Sequence, residues 1–374
     1  MKKSLGIYVH IPFCVSKCRY CDFCSFSGKG SSDIKEYTDE LCRRIETAEW
    51  GGDYEVDTVY FGGGTPSLMG AREVERVLSS LGSRFSVSKN AELTLECNPA
   101  TADRQYFADI LSLGVNRLSM GLQSAVDTEL SSLGRIHTAA DFAKTFNDAR
   151  AAGFENISGD LMYGIPDQNT DTLLYSARFL ADLSPEHISA YGLTVEDGTY
   201  FARHKDELSL ADGDGQYEMY MLLSEYLASR SYEKYEISNF ARHGKVSRHN
   251  LRYWSCGEYL GFGVAAHSYF GERRFGNSRD LSAFLSGKDI TEESVFIDAD
   301  EQRREYVMLG LRLSVGVDAL EYRSRFGKEL PIDTPTVKKY VNAGLMRIDG
   351  TRLCFTDRGF FVSNAVISEI LELI

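Results

Sequence analysis

Apolar and polar positions alternate in two rhythms over the first two-thirds of the chain. Short runs dense in aliphatic and β-branched residues, Leu5 to Ile11, Asp57 to Phe61, Glu92 to Cys97, Arg117 to Gly121, Ser158 to Tyr163 and His187 to Leu193, have the length and make-up of buried strands. Apolar residues recur at three- and four-residue spacing over Ile34 to Glu49, Arg72 to Leu81, Asp103 to Leu113, Ala139 to Ala152, Asp171 to Leu183 and Gln216 to Ser229, as in helices with one buried face. Successive strand-helix units predict an α/β fold with a parallel sheet, curved into a barrel or part of one; a doubly wound sheet satisfies the same periodicity. Further on, Arg303 to Leu313 reads as a helix, and Asp357 to Ile374 as a strand exit leading into a terminal amphipathic helix.

In a parallel barrel, the loops after the strands build the active centre. Here every motif falls at such a position. Cys14-Val-Ser-Lys-Cys18-Arg-Tyr-Cys21 follows strand one, Gly62-Gly63-Gly64-Thr65-Pro66 strand two, Glu96-Cys97-Asn98-Pro99 strand three, Gly121-Leu122-Gln123-Ser124 strand four, and the run from Asp160 to Pro166 strand five. A C-x3-C-x2-C loop can hold three irons of a 4Fe-4S cluster through Cys14, Cys18 and Cys21 and leave the fourth iron open to a ligand. The alternatives are three unrelated buried thiols or a structural zinc site, but zinc usually needs a second cysteine pair, and none follows at the expected distance. Gly63, Gly64 and Thr65 lie in a turn whose backbone N–H and C=O groups could approach a small zwitterion closely.

Composition narrows the setting. With 374 residues, 43% of them apolar and 25% charged, the chain can bury a barrel-sized core and a smaller domain. A net charge of -13 with no basic stripe argues against nucleic acid as a partner. Lys2-Lys3 before an apolar run suggests a signal peptide, but His10 and Pro12 interrupt a run already too short, and nothing approaches a membrane span, so no stable membrane insertion is expected. The tail Ile367 to Ile374 carries Glu369 and Glu372 and no basic residue, which suits a docked helix. Eight cysteines, three of them clustered, fit a reducing cytoplasmic setting with a metal site.

The run Tyr8-Val-His-Ile-Pro-Phe13 leading into Cys14, Cys18 and Cys21 resembles the start of the radical S-adenosylmethionine (SAM) enzymes, in the branch holding oxygen-independent coproporphyrinogen oxidases and HemW-type heme chaperones. The resemblance implies a partial (β/α)6 TIM-like barrel with a smaller, mainly helical C-terminal domain. It divides the chain into a radical domain over 1–235, a connecting segment over 236–290 and a C-terminal domain over 291–374. It also implies a 4Fe-4S cluster and SAM, with Tyr8, Gly63, Gly64, Thr65, Glu96, Gln123, Arg135 and Asp160 around the cofactor. The chemistry is then reductive cleavage of SAM to a 5′-deoxyadenosyl radical, using an electron from an unidentified donor.

Two features choose between the branches. The oxidases carry a further cysteine two positions after the third and an extra N-terminal segment; here that position is Phe23, only seven residues precede Tyr8, and Cys24 reads as a spare thiol or an alternative cluster ligand. Arg248-His249-Asn250-Leu251-Arg252-Tyr253-Trp254 resembles the His-Asn-x-x-Tyr-Trp run of the chaperones, which implies heme and client hemoproteins as partners. His249 is the candidate heme ligand, since a neutral imidazole binds heme iron and neighbouring rings can pack on a porphyrin face; a purely structural His249 and a ligand role for His267 stay open. The expected function is that of a heme chaperone. The alternatives are a coproporphyrinogen III dehydrogenase that decarboxylates propionates to vinyl groups, and a zinc-stabilised binding protein.

Overall fold

The computed structural model describes residues 2–50 and 53–374. Its centre is a run of parallel strands, β1 (Lys3–Ile11), β2 (Tyr54–Gly63), β3 (Ser86–Cys97), β4 (Arg117–Gln123), β5 (Ile157–Tyr163) and β6 (His187–Gly192), each hydrogen-bonded to the next in chain order. Strand order that follows chain order is the winding of a barrel; a doubly wound sheet reverses direction midway. Helices α1 (Ser31–Glu46), α2 (Ala71–Arg84), α3 (Arg104–Ser112), α4 (Ala139–Ala152) and α5 (Thr170–Asp182) fill the crossovers, and α6 (Gly213–Ser229) follows the sixth strand.

Local chemistry sets the helix starts. Asp103 accepts from Tyr106 N–H at the head of α3, and Thr138 with Asp141 forms a reciprocal capping box on α4. The apolar stripes then bury as the spacing requires. Ile34, Leu41 and Ile45 of α1 and Val74, Val77 and Leu81 of α2 share one core with Ile7, Val9 and Ile11 of β1. Because side chains alternate along a strand, Gly6, Tyr8 and His10 face the other side of β1.

Six strands do not complete the sheet. It has twelve, because β7 (Glu233–Lys234) and β8 (Asn239–Ala241) extend it beyond β6, and β9 (Tyr259–Phe262), β10 (His267–Phe270), β11 (Arg273–Asn277) and β12 (Thr291–Phe296) extend it beyond β1. β9 runs parallel to β1, and the strands outside it are antiparallel. These added strands lack the buried apolar runs that mark the central six, so the sequence pattern does not single them out. Helix α7 (Arg248–Trp254) lies between β8 and β9.

The C-terminal part is mainly helical, with a small sheet of β13 (Val317–Asp318), β15 (Arg352–Phe355) and β14 (Met346–Asp349). Its first helix, α8, spans Ala299–Gly310 and its last, α9, spans Ser363–Leu371. Val307, Leu311, Leu353, Phe355 and Ile367 form a second core, which Tyr220 of α6 joins from the barrel side. Lys234 reaches across to Asp357 at 2.8 Å.

Candidate functional site

The cysteine loop is tied down at several points. Phe13–Cys14 pairs with Phe26–Ser27, Phe26 N–H donates to Pro12 C=O at 2.7 Å, and Arg19 N–H donates to Leu133 C=O at 2.9 Å. Cys14, Cys18 and Cys21 line one cavity of about 690 Å³ at the ends of the barrel strands, within the usual range for a small-molecule site. Among the described residues no three His, Cys, Asp or Glu side chains converge on a single ion. Three free thiols lining one cavity suit a cluster, which takes each sulfur on its own iron.

Gly63, Gly64, Thr65, Glu96, Gln123, Arg135 and Asp160 line the same cavity. A hydrogen-bonded chain links two of them, Thr65 and Arg135, to the thiols. Thr65 Oγ1 lies 3.6 Å from Cys14 Sγ and accepts from Asn98 Nδ2 at 2.7 Å. Arg135 Nη1 lies 3.5 Å from Cys18 Sγ, and its Nη2 donates to Asn98 Oδ1 at 2.9 Å and to Gly121 C=O at 3.0 Å. Asn98 thus spans both sides of the cluster loop, a role not assigned to it from the sequence. Its place directly after strand three, two residues beyond Glu96, was the available signal.

Deeper in the cavity sit two carboxyl groups. Glu96 accepts from Tyr60 O–H at 2.8 Å and from Gly63 N–H at 3.1 Å. Burial, with the nearby Asp160 charge, pushes its carboxyl up to about 7. Burial also raises Asp160, which accepts from Ser119 Oγ at 3.3 Å. Arg117, Ser189, Tyr191 and Asn250 complete the floor, so the His-Asn-x-x-Tyr-Trp run reaches this cavity through Asn250.

In the glycine turn two N–H groups are used inside the fold, since Gly63 donates to Glu96 and Gly64 donates to Ile11 C=O at 2.8 Å. Two expectations need correction. Tyr8 does not line the cysteine cavity. It faces a second space of about 430 Å³ beside β1, where its hydroxyl lies 3.0 Å from His10 Nδ1. His249, the expected heme ligand, is 1% exposed, with Nδ1 2.9 Å from Thr58 Oγ1, Nε2 2.8 Å from Tyr253 OH and its ring stacked on Tyr60. Burial pushes His249 down to about 3, so the ring is neutral, but neither nitrogen is free for an incoming iron. Cys24 is buried on the second space and does not line the cysteine cavity.

A three-cysteine loop over the mouth of a partial barrel, faced by a glycine turn and strand-end carboxylates, defines a radical SAM protein. Residues 8–180 match the model of the Radical SAM superfamily, and residues 297–362 match that of the HemN C-terminal domain. Along nearly its whole length the chain is 33% identical to a protein of Bacillus subtilis (strain 168) named heme chaperone HemW, covering 97% of this chain and 98% of that one. It is 31% identical to the protein of the same name from Escherichia coli (strain K12), covering 98% of each. The chain belongs to this HemW family of radical SAM proteins, and membership implies a 4Fe-4S cluster and SAM. Its fold superposes on that of the coproporphyrinogen III oxidase HemN from Escherichia coli with a TM-score of 0.86 at 22% identity, covering 100% of this chain and 91% of that one. Among the described residues no helix is long and apolar enough to cross a membrane.

Proposed function

We propose that this protein is a cytoplasmic heme chaperone, which binds heme and passes it to client hemoproteins. The observation that carries the reading is full-length similarity to proteins named heme chaperone HemW, joined to a cavity where three cysteines and the strand-end polar groups meet. Cys14, Cys18 and Cys21 hold the cluster. Glu96, Gln123, Arg135 and Asp160, with Gly63, Gly64 and Thr65, bind SAM: Arg135 forks onto a carboxylate, and Glu96 and Asp160 accept from ammonium or ribose hydroxyls. When bound, the cluster would supply the electron for reductive cleavage of SAM, drawn from a donor of unknown identity. The division into a radical domain over 1–235, a connecting segment over 236–290 and a C-terminal domain over 291–374 belongs to the same proposal.

The test begins with anaerobic reconstitution, where about four irons per chain and a brown colour are expected. Cys14→Ala, Cys18→Ala and Cys21→Ala should each lose the colour and Cys24→Ala should keep it. Heme-loaded protein is then mixed with an apo-hemoprotein, and appearance of the holo-hemoprotein spectrum supports the reading. In parallel, coproporphyrinogen III is supplied with SAM and a strong reductant. Multiple-turnover formation of protoporphyrinogen IX would replace the chaperone reading with that of an oxidase.

A further inference from the structure

The space beside β1 has the parts of a porphyrin site. It lies between the loop that follows the third cluster cysteine and the added strands β9 and β10, and its volume of about 430 Å³ is within the range of cofactor sites. Its wall carries aromatic faces. Phe23 is 69% exposed, unusual for a large apolar side chain, and Tyr253 and Tyr259 meet edge to face at 4.7 Å. Tyr253 belongs to the His-Asn-x-x-Tyr-Trp run, so that run touches this space through its tyrosine while its histidine is locked behind it by the Tyr253 hydroxyl.

His267 supplies what His249 does not. It opens β10, is exposed, and makes no side-chain hydrogen bond among the described residues. Its ring lies against Gly276, its cross-strand partner on β11, where an added Cβ would come within 2.7 Å of Nδ1. A glycine inside a strand normally weakens it; here it lets an imidazole lie flat on the sheet, which settles the ring. One cation lines the space: Arg279 stands 3.6 Å from Asp22, with donors left over.

We propose that the heme iron is bound by His267 in this space, with the porphyrin against Phe23 and Tyr253 and a propionate met by Arg279. An axial imidazole, aromatic walls and a cationic edge are what a planar dianionic iron porphyrin requires. The proposal rests on the heme-chaperone reading and gives it a place. It also puts cargo and cofactor on two sides of one loop, because Asp22 and Phe23 line both this space and the cysteine cavity.

The experiment is an anaerobic hemin titration of the full-length, cluster-reconstituted protein, followed by Soret absorption, with iron content and thermal melting measured on each variant. His267→Ala should weaken hemin binding at least tenfold and move the Soret band, and added imidazole should restore the band. Arg279→Gln should weaken binding several-fold with the band in place, and the exposed His243→Ala should change nothing. If His267→Ala binds hemin with the wild-type spectrum and affinity, or if the band follows Cys24→Ala or His249→Ala instead, the assignment is overturned while the chaperone reading stands. Failure of the wild-type protein to bind hemin overturns both.

Discussion

Gly63 has a φ of +115°, and a Cβ added there would come within 2.6 Å of the His10 ring. The glycine is therefore needed by the fold itself, and its packing contact is with β1. Gly63→Ala combines a left-handed backbone with overpacking and should cost about 2–4 kcal/mol, read as a lower denaturant midpoint before any cofactor is added. Asn98 behaves differently, because its side chain holds Thr65 and Arg135 in place around the thiols without supplying one itself. In Asn98→Ala those buried partners lose about 1–3 kcal/mol of hydrogen bonding, so SAM should bind roughly tenfold more weakly in equilibrium dialysis with iron content unchanged.

At the scale of elements, α7 closes the floor of the barrel. Glu92 on β3 accepts from the N–H groups of Arg248 and His249 at its first turn, and Ser247 caps it by accepting from Asn250 N–H. His249 then locks the helix to β2 through Thr58 and stacks on Tyr60, whose hydroxyl donates to Glu96. The His-Asn pair is thus coupled to the cofactor cavity through one tyrosine. His249→Ala leaves Thr58 and Tyr253 without this partner and opens a void, so urea unfolding should show a loss of about 2–4 kcal/mol. SAM affinity should fall with it, since Tyr60, which donates to Glu96, loses the ring it stacks on.

The barrel and the C-terminal part meet around Glu236, which is fully buried and bridges to Leu313 while Ile237 N–H donates to Arg312 C=O at 2.9 Å. Among the described residues neither carboxyl oxygen of Glu236 has a well-aligned hydrogen-bond partner, and burial, outweighing the nearby Ser238 and Asn239 donors, pushes the group up to about 7. An unfolded glutamate titrates near ~4.3, so between that pH and about 7 the folded state keeps a proton that the unfolded state releases, and the contribution of Glu236 to stability falls as pH rises. Glu236→Gln removes this dependence. The variant should match wild type near pH 5 and exceed it by about 2 kcal/mol at pH 8, measured by denaturant titration at the two pH values.

Periodicity and turn chemistry are local, and they sufficed to locate the six central strands, the helices between them, and the Cys14, Gly63, Glu96, Gln123 and Asp160 motifs at strand ends. Each of those features is set by residues a few positions apart, through a repeat of two or 3.6 or the needs of a cap. The strands from β7 to β12 carry no buried apolar run of the kind that marks the central six, and antiparallel pairing outward from β6 and from β9, which itself lies parallel to β1, makes them strands. Roles that depend on distant partners were decided by the fold alone. Thr58 and His249 stand 191 positions apart, and their hydrogen bond turns a candidate ligand into a barrel fastening. Asn98 and Arg135 meet across 37 positions to frame the thiols. Tyr8 shows the same division within one strand: its place before the cysteines is written in the chain, but strand register and the closing of β9 onto β1 turn its hydroxyl to the second space. Which side chains share a cavity depends on how strands far apart in sequence align, and no local pattern encodes that alignment.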